Sequence, residues 1–308
     1  MRAALALYGP VMVTVTMWAF QAPALHDLGK RWDPGTLNLA RYVIASAAFG
    51  LLALALPSGR DAPALRPSEG LRLGALFAGF GILFTLGTVV GNPVTAATVS
   101  AVMPITASLV TWAVTRAPPD RALVMALPLV VPGAVLATPA LGAEAAGGGN
   151  PVLGLLFILL AQTSWSLYSL SVPRWMPAST ALARTRASVL WSLPFHIVAC
   201  AAVWALGLGC TDPAAIGEGD GVLIAVAALG PLVLGVMLWN RSIERLGLPT
   251  CALFLNTVPV IGAGIAALFG SPPTGLQLLG IALVIAGMGA AQYRRRGTTE
   301  GRPTLPRS

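Results

Sequence analysis

TAATVSAVMPITASLVTW, residues 95–112, is matched further along the chain by TCALFLNTVPVIGAGIAAL, residues 250–268. Each opens on a threonine (Thr95, Thr250), reaches a proline nine residues later (Pro104, Pro259), continues through small residues and stops before a Pro-Pro pair (Pro118 and Pro119, Pro272 and Pro273). Both stretches are too apolar for water and more polar than a passive membrane anchor needs to be. An internal duplication of this kind decides the architecture before any other feature is weighed.

Composition then fixes the solvent. Of the 308 residues, 56% are hydrophobic and 10% charged, with mean hydropathy +0.78. Ordinary globular domains carry about 25% charged residues, so most of this chain must be solvated by lipid. The net charge of +8 does not mark a nucleic-acid face, because nearly every basic residue sits in a short gap between apolar runs. Cys200, Cys210 and Cys251 have no CxxC spacing and no His or carboxylate ligands around them, so neither a metal site nor a disulfide framework is expected. The N-terminal run reaching AFQAPA, residues 19–24, is read as a retained helix and not a cleaved signal, since the apolar pattern continues past Pro23.

A spanning helix needs about 20 mostly apolar residues. Runs of that kind occupy 3–25, 42–57, 73–92, 93–115, 122–143, 152–173, 187–209, 221–240, 250–269 and 275–293. The expected fold is therefore an all-α integral membrane protein of ten transmembrane helices. Gly91-Asn92-Pro93, Pro118-Pro119-Asp120 and Gly270-Ser271-Pro272-Pro273 punctuate them, and the glycine-rich 143–150 stretch joins two halves. This divides the chain into a first five-helix repeat (1–146), a second (147–293) and a basic tail (294–308).

Lys and Arg give the orientation. Sixteen of the nineteen lie on one side when the gaps are taken alternately, Lys30 and Arg31 lie on the other, and Arg41 falls inside helix two. The positive-inside rule places both termini in the cytoplasm of a multi-pass protein, in a bacterial-type inner membrane. With five helices per half, the second half enters from the opposite face, so the repeat is inverted. Trp18 pairs with Trp165, and the LAR ending at Arg41 pairs with the LAR ending at Arg184, at offsets between 143 and 155 residues. Inverted repeats let secondary transporters alternate access around a midplane site.

These residues carry a family likeness. The chain resembles the EamA-type branch of the drug/metabolite transporter superfamily through Trp18, Arg41, Pro104, the Thr250 to Pro259 signature and the Gly280 to Gly287 helix. Within that branch it is most similar to the YddG-like amino-acid exporters. The resemblance covers residues 5–293 and implies ten helices, an inverted five-plus-five repeat and export of small metabolites, often amino acids. One departure stands out: Gly270 is followed by Ser271 where the family often has glutamate, so no role of that glutamate carries over.

Polar residues inside the bilayer are costly and point to function. Arg41 would hold a substrate carboxylate or a gating contact, or else snorkel to the interface. No Asp or Glu falls in the middle of a span, which argues for a neutral or zwitterionic substrate and for facilitated or weakly coupled movement. His196 could titrate but reads first as packing. Stripes at helical spacing nominate Trp18 and Gln21 with Thr14, Thr85 with Thr88 and Asn92, and Gln162, Trp165 and Ser169 with Ser166. Met103, Trp239, Asn240 and Asn256 complete the candidate cavity. Ser, Thr, Asn and Gln also join membrane helices to one another. Pro104 and Pro259 each free a backbone carbonyl and are the candidate hinges.

The expected function is export of small neutral metabolites, foremost aromatic and other apolar amino acids, by rocking of the two halves about a central cavity. A multidrug or nucleotide-sugar carrier is the competing transport reading. A membrane-embedded lipid transferase would need tight acidic metal clusters, and Asp212, Glu218 and Asp220 lack that spacing. No enzymatic activity, cofactor or nucleic-acid partner is expected; the partners are the small-molecule substrate and membrane lipid.

Overall fold

The computed structural model describes residues 2–55, 65–90, 103, 106–116, 118, 121–136, 151–209, 211, 214, 216–268 and 274–300. Pro104, Thr95, Asn92, the 143–150 joint and most of the 294–308 tail lie outside these residues, as do the side chains of Asn256 and Pro259.

The helices are α1 (Arg2–Leu28), α2 (Pro34–Ala55), α3 (Pro67–Val90), α4 (Thr106–Thr115), α5 (Arg121–Leu136), α6 (Pro151–Trp175) and α7 (Ala181–Ala205). They continue as α8 (Asp220–Ala228), a π-helical segment (Leu229–Gly235), α9 (Val236–Leu246), α10 (Leu248–Phe254), a 3-10 turn (Leu255–Thr257), α11 (Val258–Leu268) and α12 (Gly275–Glu300). No strand occurs among the described residues. Among the described residues, five stretches are long and apolar enough to cross a membrane: Pro34–Leu52, Pro67–Val90, Val152–Trp175, Ala181–Ala205 and Asp220–Leu246.

Local chemistry explains where these helices begin. Proline occupies the first position of α2, α3 and α6, where its missing N–H leaves nothing unsatisfied. Ahead of α2, Asp33 Oδ1 accepts from Thr36 N at 2.8 Å. Ahead of α3, the Arg66 amide donates back to Glu69 Oε2 at 3.2 Å, half of a capping box. Thr180 caps α7 through Ala183 N at 3.2 Å. Gly247, at φ +75°, ends α9 and starts the next turn at once.

The outward faces are those of a lipid-solvated bundle. Leu156 and Leu160 on α6, Ile197 and Val198 on α7, and Leu278 and Leu279 on α12 are exposed large apolar side chains. Inward, α3 packs along α6 and α7, α2 along α7, α1 along α9 and α11, and α12 along α5. Elements from both ends of the chain therefore interleave, and the largest core cluster is built from α1, α2, α3, α6 and α9 around Trp165 and Trp239.

Two details depart from the apolar-run reading. Helix eight is interrupted at Leu229–Gly235 because Pro231 cannot donate to the carbonyl four residues back. The last helix continues past residue 293 to Glu300, carried by the good helix formers Arg294, Arg295 and Arg296 and passing through Gly297. One turn ahead of Pro259 the backbone tightens to the 3-10 turn Leu255–Thr257, where the missing proline donor would have bonded.

Candidate functional site

Three tryptophans from three helices meet at the centre of the bundle. Trp18 of α1 stands edge-on to Trp165 of α6, with centroids 5.3 Å apart and planes at 83°. Trp239 of α9 lies 5.1 Å from Trp18 and 6.0 Å from Trp165. Phe77 and Phe80 of α3 and Tyr168 of α6 close the group at 6.1, 4.7 and 5.0 Å from Trp165. Edge-to-face and tilted pairs of this kind each contribute about 0.5–1.5 kcal/mol beyond burial. The cluster is thus apolar and shared between the N-terminal and C-terminal halves of the chain.

Polar atoms stand along one face of α6 beside it. Gln162 Oε1, Trp165 Nε1 and Ser166 Oγ are buried and have no protein hydrogen-bond partner. Ser169 Oγ, one turn on, accepts from Trp239 Nε1 at 3.3 Å. Met103 is buried in the same core cluster. Unpaired polar atoms in an apolar wall are costly when they face only hydrocarbon, and they are the natural handles for a ligand's amino or hydroxyl group.

The π segment supplies further polar surface. Carbonyls around it point sideways and are taken up by the first half: Trp18 Nε1 donates to Pro231 O at 3.2 Å, and Thr14 Oγ1 to Gly235 O at 3.1 Å. A Cβ on Gly235 would lie 3.1 Å from Trp18 Nε1, so glycine admits the indole there. Ala227 O, the carbonyl that Pro231 cannot satisfy, faces Arg41 Nη2 at 3.4 Å. Arg41 is 1% exposed and does not reach the interface. Its Nη1 donates to Asn38 Oδ1 at 3.3 Å, and the same oxygen accepts from Thr85 Oγ1 at 3.0 Å.

The candidate residues therefore divide. Trp18, Trp165, Ser169, Trp239 and Met103 gather at the aromatic centre, and Gln162 stands one turn along α6 from Trp165. Gln21 is buried in α1, one turn from Trp18. Arg41 and Thr85 form a second group between α2, α3 and α8. Asn240 touches the aromatic group at its edge: its Nδ2 donates to Tyr168 Oη at 3.1 Å and to Thr185 Oγ1 at 3.0 Å, joining α9 to α6 and α7. Missed from the sequence were Asn38, Tyr42, Phe77 and Tyr168. Asn38 stands three residues before Arg41, one helical turn away, which is the signal that would have found it.

One end of the bundle is fastened by a polar clasp. Arg31 holds Asp220 with two bonds, Nε–Oδ2 3.0 Å and Nη2–Oδ1 2.8 Å, and reaches Asp27 Oδ2 at 2.9 Å. Trp32 Nε1 donates to Asp220 Oδ2 at 2.9 Å, Thr211 Oγ1 to Asp33 Oδ2 at 2.6 Å, and Trp204 Nε1 to Thr36 Oγ1 at 3.0 Å. The hydrogen bonds to Asp220 and Asp27 raise the Arg31 pKa above its usual value. The Arg31 hydrogen bond lowers that of Asp27. For Asp33 burial pushes upward, but the bonds from Thr211 and Thr36 prevail and the net direction is down. At the other end Arg184, buried at the start of α7, is paired with Glu244 and donates to Met176 O and Pro177 O.

No curated protein matches this chain. A solved structure titled "Crystal structure of protein" is similar in fold over 97% of this chain and 99% of its own, with TM-score 0.67 and 20% sequence identity. Residues 7–138, which contribute Trp18, Arg41, Phe77 and Met103 to the two groups above, match the model of the EamA-like transporter family.

Proposed function

We propose that this protein moves small neutral metabolites, foremost amino acids with aromatic or other apolar side chains, across a bacterial-type inner membrane by alternating access. In this reading it has ten spanning helices in two inverted repeats and both termini in the cytoplasm, and it is closest in function to the YddG-like exporters. The observation that carries the reading is the T-shaped Trp18–Trp165 pair, formed by one helix from each half of the chain with Trp239 against both. Relative motion of the halves would part these rings and open a slot whose walls are aromatic and whose polar handles are Gln162, Trp165 Nε1 and Ser166. An apolar side chain would lie between the rings while its charged ends meet polar atoms. No carboxylate lines the slot among the described residues, so a cationic drug would find no counter-charge there.

The test is uptake of radiolabelled phenylalanine and leucine into liposomes carrying the full chain, without an imposed pH gradient. Saturable uptake is expected, reduced about tenfold or more in Trp165→Ala, the loss of roughly 1.4 kcal/mol of ring contact, and retained in part in Trp165→Phe. Uptake that starts only when a pH gradient is applied would overturn the uncoupled mechanism. Uptake of neither amino acid under either condition would overturn the amino-acid reading and favour bulkier conjugates.

A further inference from the structure

One span, Asp220–Leu246, carries a carboxylate near each end, and each carboxylate holds an arginine. At its start Asp220 takes both bonds of the Arg31 fork, from the turn between α1 and α2. Near its finish Glu244 pairs with Arg184, in the first turn of α7. Arg184 is buried and also donates to Met176 O at 3.0 Å and Pro177 O at 3.2 Å, which fixes its guanidinium to the turn between α6 and α7. The two pairs therefore tie opposite ends of one span to two different turns, one in each half of the chain. α7 runs from one pair to the other, with Arg184 in its first turn and Cys200, beside Thr36, towards its end.

Midway between the pairs the regular helix is interrupted. The π segment Leu229–Gly235 begins nine residues after Asp220 and ends nine residues before Glu244. Each arm is thus about 13–14 Å long, at about 1.5 Å per residue. Helices bend at such segments because the ladder of i to i−4 bonds is broken there, and Pro231 removes one donor more. The middle is held by α1, through Trp18 Nε1 to Pro231 O at 3.2 Å and Thr14 Oγ1 to Gly235 O at 3.1 Å. A helix held at its centre, with arms of equal length fastened at both ends by charge, has the build of a lever.

We propose that the Asp220–Leu246 span rocks about its π segment, and that Arg31–Asp220 and Arg184–Glu244 are alternative latches, one closed whenever the other is released. Moving the start of the helix outward about a fixed middle carries its finish inward, so release of Asp220 presses Glu244 onto Arg184, and the reverse. Parting either pair leaves a charge uncompensated, and the pair that stays closed keeps the helix from leaving at both ends at once. The structure, with both latches closed, is the state between the two. The inference rests on the alternating-access reading above, to which it adds the moving element and its two stops.

Maleimide labelling of the full chain in nanodiscs, with Cys210 replaced by serine, tests it. Cys200 reports on the Arg31 end, and the fully buried Cys251, in α10 just beyond Gly247, on the Arg184 end. Glu244→Gln is expected to bring label onto Cys251 and to slow Cys200 at least about threefold below the unmodified protein. Added to Asp220→Asn, in which Cys200 is labelled faster, Glu244→Gln should bring the Cys200 rate back down by at least about threefold, because the two releases then oppose each other. Independent latches give the reverse: Cys200 as fast in the double variant as in Asp220→Asn, with Cys251 labelled besides. That result overturns the proposal, as does a Cys200 rate that Glu244→Gln leaves unchanged or raises. Should Glu244→Gln not fold, Arg184→Lys loosens the same latch by losing the fork that bridges Glu244 and two carbonyls, and the same comparison decides. Phenylalanine and leucine uptake into liposomes is a separate readout. Uptake without reciprocal labelling sinks the lever and leaves the transport reading standing; reciprocal labelling without uptake keeps the lever and sinks the amino-acid reading.

Discussion

Replacing Gly74 by valine is expected to leave no folded, monodisperse protein, whereas Gly50→Ala leaves yield and thermal midpoint unchanged or slightly raised. A Cβ on Gly74 would lie 2.0 Å from Trp191 O, 2.4 Å from Trp191 C and 3.0 Å from Ser192 N. These are backbone atoms of α7, which cannot turn aside as a side chain does. One turn earlier a Cβ on Gly70 would meet the Trp191 ring at 2.2 Å, so the two helices cross on a glycine face of α3. In lipid the apolar surfaces gain little by leaving their solvent, and close backbone approach carries the association. Forcing α3 off α7 costs at least about 3 kcal/mol, the upper end for overpacking, out of a total stability of order 5–15 kcal/mol. Gly50, by contrast, has nothing within 4 Å of its Cβ position and sits in a helix interior, where alanine is worth roughly 0.5–1 kcal/mol. Size-exclusion profiles and thermal midpoints of the two variants check this. A monodisperse Gly74→Val of ordinary stability would show that the α3–α7 crossing is not as close as described.

That crossing also shows what could be read from residues alone. Apolar runs located the five long apolar stretches of the described residues, because the bilayer leaves few alternatives, and Trp18 and Trp165, paired by offset, are two rings that meet at 5.3 Å. Gly87, four residues before Gly91, lies against α6, its Cβ position 2.3 Å from Ile158. The tighter pair Gly70 and Gly74 went unread, because in a glycine-rich chain spacing alone does not say which glycine faces a neighbour. One proline went unread as well. Attention went to Pro104 and Pro259, which the duplication repeats, while Pro231 opens the π segment whose carbonyls receive Thr14 and Trp18. Nothing in a single sequence distinguishes a proline that bends a helix from one that widens it. Asn240 was read as cavity-lining for its polarity, and its Nδ2 donates to Tyr168 and Thr185, so it also joins α9 to α6 and α7. Partner choice between helices is long-range information, and polarity is not.

Breaking the clasp is expected to expose the end of the bundle where α1, α2, α7 and α8 meet. Asp220 takes both bonds of the Arg31 fork, the Trp32 indole and the Gly217 amide at 3.3 Å, so one carboxylate joins the α1–α2 loop to the start of α8. Asp220→Asn keeps the shape and removes the charge from these bonds. Losing charge assistance across such a group costs on the order of 2 kcal/mol, or about thirtyfold in the ratio of closed to open forms. The chain carries its own reporters. Cys200 Sγ lies 3.8 Å from Thr36 Oγ1, directly beneath the clasp, whereas Cys251 is fully buried elsewhere. With Cys210 replaced by serine, maleimide should label the half-buried Cys200 faster in Asp220→Asn, by at most about thirtyfold, while Cys251 stays unlabelled and so excludes general unfolding. The pH profile follows from the lowered carboxyls. The folded pKa values of Asp27 and Asp33 lie below their unfolded ones, so their contribution is complete above the ordinary aspartate value and is lost only as pH falls through the folded values. Relative to the reagent's intrinsic thiol reactivity, labelling should therefore be flat between about pH 5 and 8 and rise only in stronger acid. A rate already rising near pH 6 would mean that another group holds this end closed. An unchanged rate in Asp220→Asn would mean that the helices below, not the clasp, keep Cys200 covered.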